Sequence, residues 1–133
     1  MKKQLRDVPG SPPALGPYSL GVVAEGKFVF VSGMTPWDPA TGKIERGSIA
    51  RQTELVLENI QKVLAAAGAG FENVVSTRVY LSNLSKENFQ EMNAVYARYF
   101  GESAPARATI GAQLPGDFDV EIECVANLFE LTP

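Results

Sequence analysis

Residues 105–131 read "PARATIGAQLPGDFDVEIECVANLFEL", and their alternation decides the class of fold. In the first part Ala106, Ala108, Ile110 and Ala112 fall on one side of an extended chain, and Arg107, Thr109 and Gln113 on the other. In the second, Val120, Ile122, Cys124, Ala126 and Leu128 oppose Asp119, Glu121, Glu123 and Asn127. A period of two marks both runs as strands, and the "LPGD" turn between them predicts an antiparallel hairpin. The expectation is that helices cover the apolar face. Arg107, Thr109, Glu121 and Glu123 then share the opposite face among small residues, where a ligand or a second subunit covers them in part.

Two upstream stretches have the spacing to provide that cover. Ile49, Thr53, Val56, Leu57, Ile60, Val63, Leu64 and Ala67 form one helical stripe, with Ser48 as N-cap and Gly68 as stop. Phe89, Met92, Asn93, Tyr96 and Phe100 share the face of a second helix that begins after Ser85 and ends at Gly101. Between them "NVVSTRVYLSNL" reads as a strand, and "YSLGVVAEGKFVFVSG" as two strands in a hairpin at "EGK". The Pro- and Gly-punctuated "MTPWDPATGKIERG" reads as loop, in which Trp37 is either a loop anchor or part of a pocket rim. The order β-β-α-β-α-β-β predicts an α+β layer, a single domain over residues 1–133.

Composition narrows the function. The chain has 133 residues and 45% hydrophobic content, enough for a core without disulfides or metals. Fifteen acidic against twelve basic residues give a net charge of -3, a poor match to a polyanion-binding surface, so no nucleic-acid partner is expected. The lone Cys124 has no disulfide partner and falls on the apolar face, where a small buried thiol fits better than a nucleophile. "MKKQLRDVPG" has a basic start but no apolar stretch behind it, and no segment has the length of a membrane span, so a cytoplasmic protein is expected. Histidine is absent, which removes the commonest general base and the commonest metal ligand. Any chemistry falls to Arg, Lys, Tyr, Ser, carboxylates or water.

Several separated stretches together resemble the RidA (YjgF) family of reactive-intermediate deaminases. They are "GPYS" at Gly16 to Ser19, "FVSG" at Phe30 to Gly33, "QTELVLENI" at Gln52 to Ile60, "AAAG" at Ala65 to Gly68, "NAVYARYF" at Asn93 to Phe100, "PARAT" at Pro105 to Thr109 and "LP...VEIE" from Leu114 to Glu123. The resemblance implies a chorismate-mutase-like α+β fold, assembled as a homotrimer with helices outside and ligand clefts between subunits. It implies a cofactor-free, metal-free hydrolase of 2-aminoacrylate-type imines and enamines that yields the 2-keto acid and ammonia, akin to 2-iminobutanoate/2-iminopropanoate deaminase. It also implies the site: Arg107 as carboxylate anchor, Thr109 as nearby backbone donor, Tyr18, Ser32, Gly33 and Asn93 as substrate contacts, and Glu121 as the water-positioning carboxylate. Met34 and Leu20 stand where many members have glutamine, which bears on substrate preference.

The chemistry suits these side chains. A guanidinium grips a planar carboxylate through two parallel charge-assisted hydrogen bonds, and a carboxylate orients water as nucleophile. Read without the resemblance, Arg107 instead pairs with Glu121 or Glu123 at an interface, and Asn93 satisfies backbone groups. A binding protein without turnover is the first alternative to the enzyme; an endoribonuclease or translation inhibitor fits the acidic, histidine-free composition less well.

Overall fold

The structure is a computed structural model and describes residues 2–128. Helix α1 (Ile49–Ala66) starts where the Ser48 hydroxyl accepts from the Arg51 N–H. It ends in a Schellman turn: Gly68, at φ 78°, allows Ala69 N–H to reach Leu64 C=O and Gly68 N–H to reach Ala65 C=O. Helix α2 (Lys86–Phe100) is capped by Ser85 through the Asn88 N–H and closed by Gly101 at φ 55°. Both expected helices are present at the expected caps.

Among the described residues there are eight strands: β1 (Lys3–Leu5), β2 (Gly21–Val23), β3 (Lys27–Met34), β4 (Trp37–Asp38), β5 (Lys43–Ile44), β6 (Val74–Leu81), β7 (Ala106–Gly111) and β8 (Val120–Leu128). The main sheet runs β3-β8-β6-β7. Both helices lie on one of its faces, over a core of Val56, Leu57, Ile60, Leu64, Val79, Leu81, Met92, Tyr96, Val120, Ile122 and Cys124. The α+β class therefore stands. Gln52, fully buried on α1, joins helix to sheet by donating to Asp119 Oδ2 at 3.0 Å and accepting from the Asp119 N–H at 2.8 Å.

Strand pairing differs from the expectation in three places. First, β7 and β8 form no hairpin: β7 pairs in parallel with β6, across the α2 crossover, and β8 crosses to the middle of the sheet between β3 and β6. The apolar alternation of β8 is what a central strand needs, and residues 112–119 span the distance from the edge. Second, β2 pairs with β1 rather than with β3, so "EGK" joins two separate sheets. Third, the expected loop at 34–47 carries the short β4–β5 hairpin, held to α1 by Asn59 Nδ2 donating to Trp37 C=O at 2.9 Å. Trp37 is thus part of an anchored hairpin. The end of the last expected strand, residues 129–131, lies outside the described residues.

The pairing also decides which faces the side chains take. Arg107 pairs with Thr77 and Thr109 with Val79, and these β6 partners point into the core. Arg107 and Thr109 therefore face the helices, whereas Glu121 and Glu123, opposite Tyr80 and Arg78, face away. The expected common polar face does not exist. Ala106, Ala108 and Ile110 instead share the open face with Glu121, because β7 is an edge strand at the rim of the helix layer and its small alternate residues are not core residues.

Candidate functional site

Arg107 leaves β7 beneath α2. Its Nη1 donates to Asn93 Oδ1 at 2.7 Å, and its Cζ lies 4.9 Å from the ring centre of Tyr96, 5.4 Å from Tyr18 and 5.6 Å from Phe89. Phe89, Asn93 and Tyr96 are one face of α2, so one helical stripe supplies two walls and the hydrogen-bond acceptor. Tyr18 arrives on a separate segment. Ser19 N–H donates to Pro105 C=O at 2.9 Å, and Ser19 bridges to Ala106, which lays residues 16–19 alongside β7. Gly16 permits that approach: a Cβ there would stand 3.3 Å from Arg107 Nη2 and 3.6 Å from Asn93 Nδ2.

The N-terminal strand secures this arrangement from behind. Gln4 Nε2 donates to Ser19 Oγ at 3.1 Å and to Ala104 C=O at 3.0 Å, while Lys2 Nζ donates to Ser103 C=O at 2.8 Å. Burial pulls the Lys2 ammonium down to about 8 despite the favourable charge of Glu72. Below Arg107, the buried Tyr96 hydroxyl shares a 2.7 Å hydrogen bond with Thr77 Oγ1. Burial pushes that phenol up, so it stays neutral.

Electrostatically Arg107 is unusual. Burial lowers its pKa, opposed by Tyr96 and Tyr18, yet a guanidinium keeps its charge. Among the described residues it forms no ion pair, and Glu123 is instead engaged by Arg78 at 3.1 Å. Within one chain Arg107 does not pair with Glu121 or Glu123, because the sheet lies between them. A half-buried cation with free N–H groups and aromatic walls is a receptor for an anion. Thr109, one pleat further on the same face, has a buried Oγ1 without a hydrogen-bond partner among the described residues.

The other residues named from the sequence gather on the open face. A register break between Val31 and Met34 sets Ser32 and Gly33 against β8, where the Gly33 backbone touches the Glu121 side chain. Ser32 lines a groove of about 360 Å³ with Phe30, Ser76, Arg78, Glu123 and Val125. Burial, then the neighbouring Glu123, raises the Glu121 carboxyl above its ordinary value. Met34 packs on the core side. Cys124, buried, is pushed up to about 12 and is inert as a thiolate.

The residues named from the sequence thus fall into two groups on opposite faces of the sheet. Tyr18, Asn93, Arg107 and Thr109 form one group, and Ser32, Gly33 and Glu121 the other. The sequence reading missed Phe89 and Tyr96 as walls, although their spacing with Asn93 was its signal, and missed Gly16.

The chain is similar to known proteins over nearly its whole length. A family model described as endoribonuclease L-PSP matches residues 9–128. A RutC family protein of Pyrococcus horikoshii is 46% identical over 87% of this chain and 90% of its own length. A 2-iminobutanoate/2-iminopropanoate deaminase of Bos taurus is 40% identical over 92% of this chain and 88% of its own. A solved structure of YyfB, a Rid family protein of unknown function from Yersinia pestis, superposes with a TM-score of 0.83 at 30% identity, covering 96% of this chain and 98% of that one.

Proposed function

The chain belongs to the YjgF/Rid family, and on that premise we propose that it hydrolyses reactive 2-imino acids of the 2-aminoacrylate type to 2-keto acids and ammonia. One observation carries the reading: a half-buried Arg107 with three aromatic rings around its guanidinium, one N–H fixed by Asn93 and no ion pair among the described residues. The remaining N–H groups take the substrate carboxylate and hold the adjacent C=N carbon in one orientation.

Glu121 supplies the other half of the chemistry in this reading. It holds a water and accepts a proton from it as the oxygen bonds to the imine carbon. The proton passes to nitrogen to give a carbinolamine; a second proton then moves from its hydroxyl by way of Glu121 to nitrogen as the C–N bond breaks, so that ammonia leaves and the carbonyl forms. The raised Glu121 carboxyl makes it a better base near neutral pH than an ordinary glutamate. No step calls for a metal or organic cofactor.

Because Arg107 and Glu121 lie on opposite faces, the reading requires the site to be completed between copies. Tyr18, Asn93, Arg107 and Thr109 come from one subunit, and Ser32, Gly33 and Glu121 from the next, in a homotrimer with the open sheet faces inward. Phe30, 78% exposed, and Phe28 and Ile110, each 39% exposed, support burial of that face by a second copy.

The test generates imino acids with an amino-acid oxidase and follows their disappearance against a semicarbazide trap. Wild type should outrun the trap, and Arg107→Ala and Glu121→Gln should each fail. An equal mixture of the two variants, refolded together, should recover about a quarter of wild-type activity, because that share of head-to-tail interfaces carries both intact halves. Wild type without effect on small and aromatic imines overturns the enzyme. Keto-acid binding retained without turnover would then favour a small-carboxylate receptor. Inactivity in the mixture alone overturns the divided site. An endoribonuclease reading takes support from the family model's description, but a net charge of -3 is a poor match to RNA.

A further inference from the structure

Gly33 lies at the register break of β3, and its backbone conformation is outside the left-handed region, so geometry alone does not require glycine there. Space does. A Cβ at position 33 would fall inside van der Waals contact with Glu121 Oε2, 3.0 Å from Cδ and 3.3 Å from Cγ. The outer part of the Glu121 side chain therefore lies where any other residue would place its Cβ. Little else holds it. Among the described residues Glu121 forms no ion pair; Arg78 on β6 is taken by Glu123, Tyr80 is its cross-strand neighbour, and β3 brings no charge to it within Phe28–Met34.

We infer that Gly33 is a positioning residue for Glu121: its missing side chain lets the carboxylate lie back against β3, and this sets where the carboxylate holds water. This deepens the deaminase reading and rests on it for its consequence in turnover. The obstructed atoms are the free end of a flexible side chain, so Gly33→Ala should fold with little loss of stability yet turn the carboxylate toward solvent. A glycine that served only as a backbone contact to the ligand would, when changed to alanine, weaken ligand binding equally with Glu121 or with glutamine at position 121.

The experiment compares wild type, Gly33→Ala, Glu121→Gln and the double variant. With imino-acid substrate, Gly33→Ala should lower kcat on the order of 100-fold, as about an ångström of misplacement does, with KM nearly unchanged. In the Glu121→Gln background it should have no further effect on turnover. Carboxyl-carbon NMR should show the Glu121 titration moving down toward the ordinary glutamate value in Gly33→Ala as solvent reaches the carboxylate. An unchanged titration overturns the inference, as does an equal loss in both backgrounds or weakened keto-acid binding caused by Gly33→Ala in both. If Glu121→Gln turns over like wild type, the role of Glu121 in the deaminase reading fails, and the NMR titration still decides whether Gly33 places the carboxylate.

Discussion

The two faces of the central sheet share their strands but treat polar groups differently. Under the helices, Gln52 engages Asp119 twice and Thr77 engages Tyr96, as buried polar groups must. Among the described residues Arg107 keeps unspent donors there, beside the unpartnered Thr109 hydroxyl. The open face is the reverse: a carboxylate, an ion pair and exposed aromatic and aliphatic side chains, with no layer over them among the described residues. A covered face with an unspent cation calls for a small ligand, and an uncovered apolar face calls for another protein surface. Both demands are met together if copies assemble face to face.

Substitutions on each side can break that contrast. Arg107→Ala should have the largest effect, a loss of keto-acid affinity of roughly 3 kcal/mol, on the order of 100-fold, as for truncation of one partner in a buried charge pair. Titration calorimetry would measure it, and an unchanged affinity would remove the covered face as the ligand site. Phe30→Asp comes next. Burial of each Phe30 is worth about 2 kcal/mol, so light scattering should report a smaller particle, while a mass unchanged from wild type would show that the open face is not the interface.

Smaller effects sharpen the comparison. Tyr96→Phe should cost about 1 kcal/mol in chemical unfolding, since the Thr77 hydroxyl loses its partner. The ring remains beneath Arg107, so keto-acid affinity should not change. Glu121→Gln should act through pH. The folded state raises the Glu121 carboxyl, so ionisation disfavours folding: the cost is absent below the ordinary glutamate value of 4.5 and grows as pH rises through the raised one. The variant should match wild type near pH 4 and melt slightly higher near pH 7; a gap that widens toward acid would reverse the assigned direction.

Local structure was largely legible. Ser48, Gly68, Ser85 and Gly101 bound the helices as their capping chemistry requires. The strands of residues 74–81, 106–111 and 120–128 follow their period. Of the residues named for one site, Tyr18, Asn93 and Arg107 meet on one face of the sheet, and Gly33 and Glu121 meet on the other. What escaped was the role of Phe89 and Tyr96, because an aromatic stripe on a helix reads as core whether it faces aliphatic carbon or a guanidinium.

By itself the sequence determined that Arg107 and Thr109 point the same way, and that Glu121 and Glu123 point the same way. Alternation is a property within one strand, carried by the pleat. Whether those two directions coincide depends on which strands pair and in what register. That choice is made by contacts between residues far apart in the chain: β8 goes between β3 and β6, and β7 goes to the edge. Tertiary structure alone therefore decided that the cation and the carboxylate occupy opposite faces, because only nonlocal pairing relates the pleat of one strand to the pleat of another.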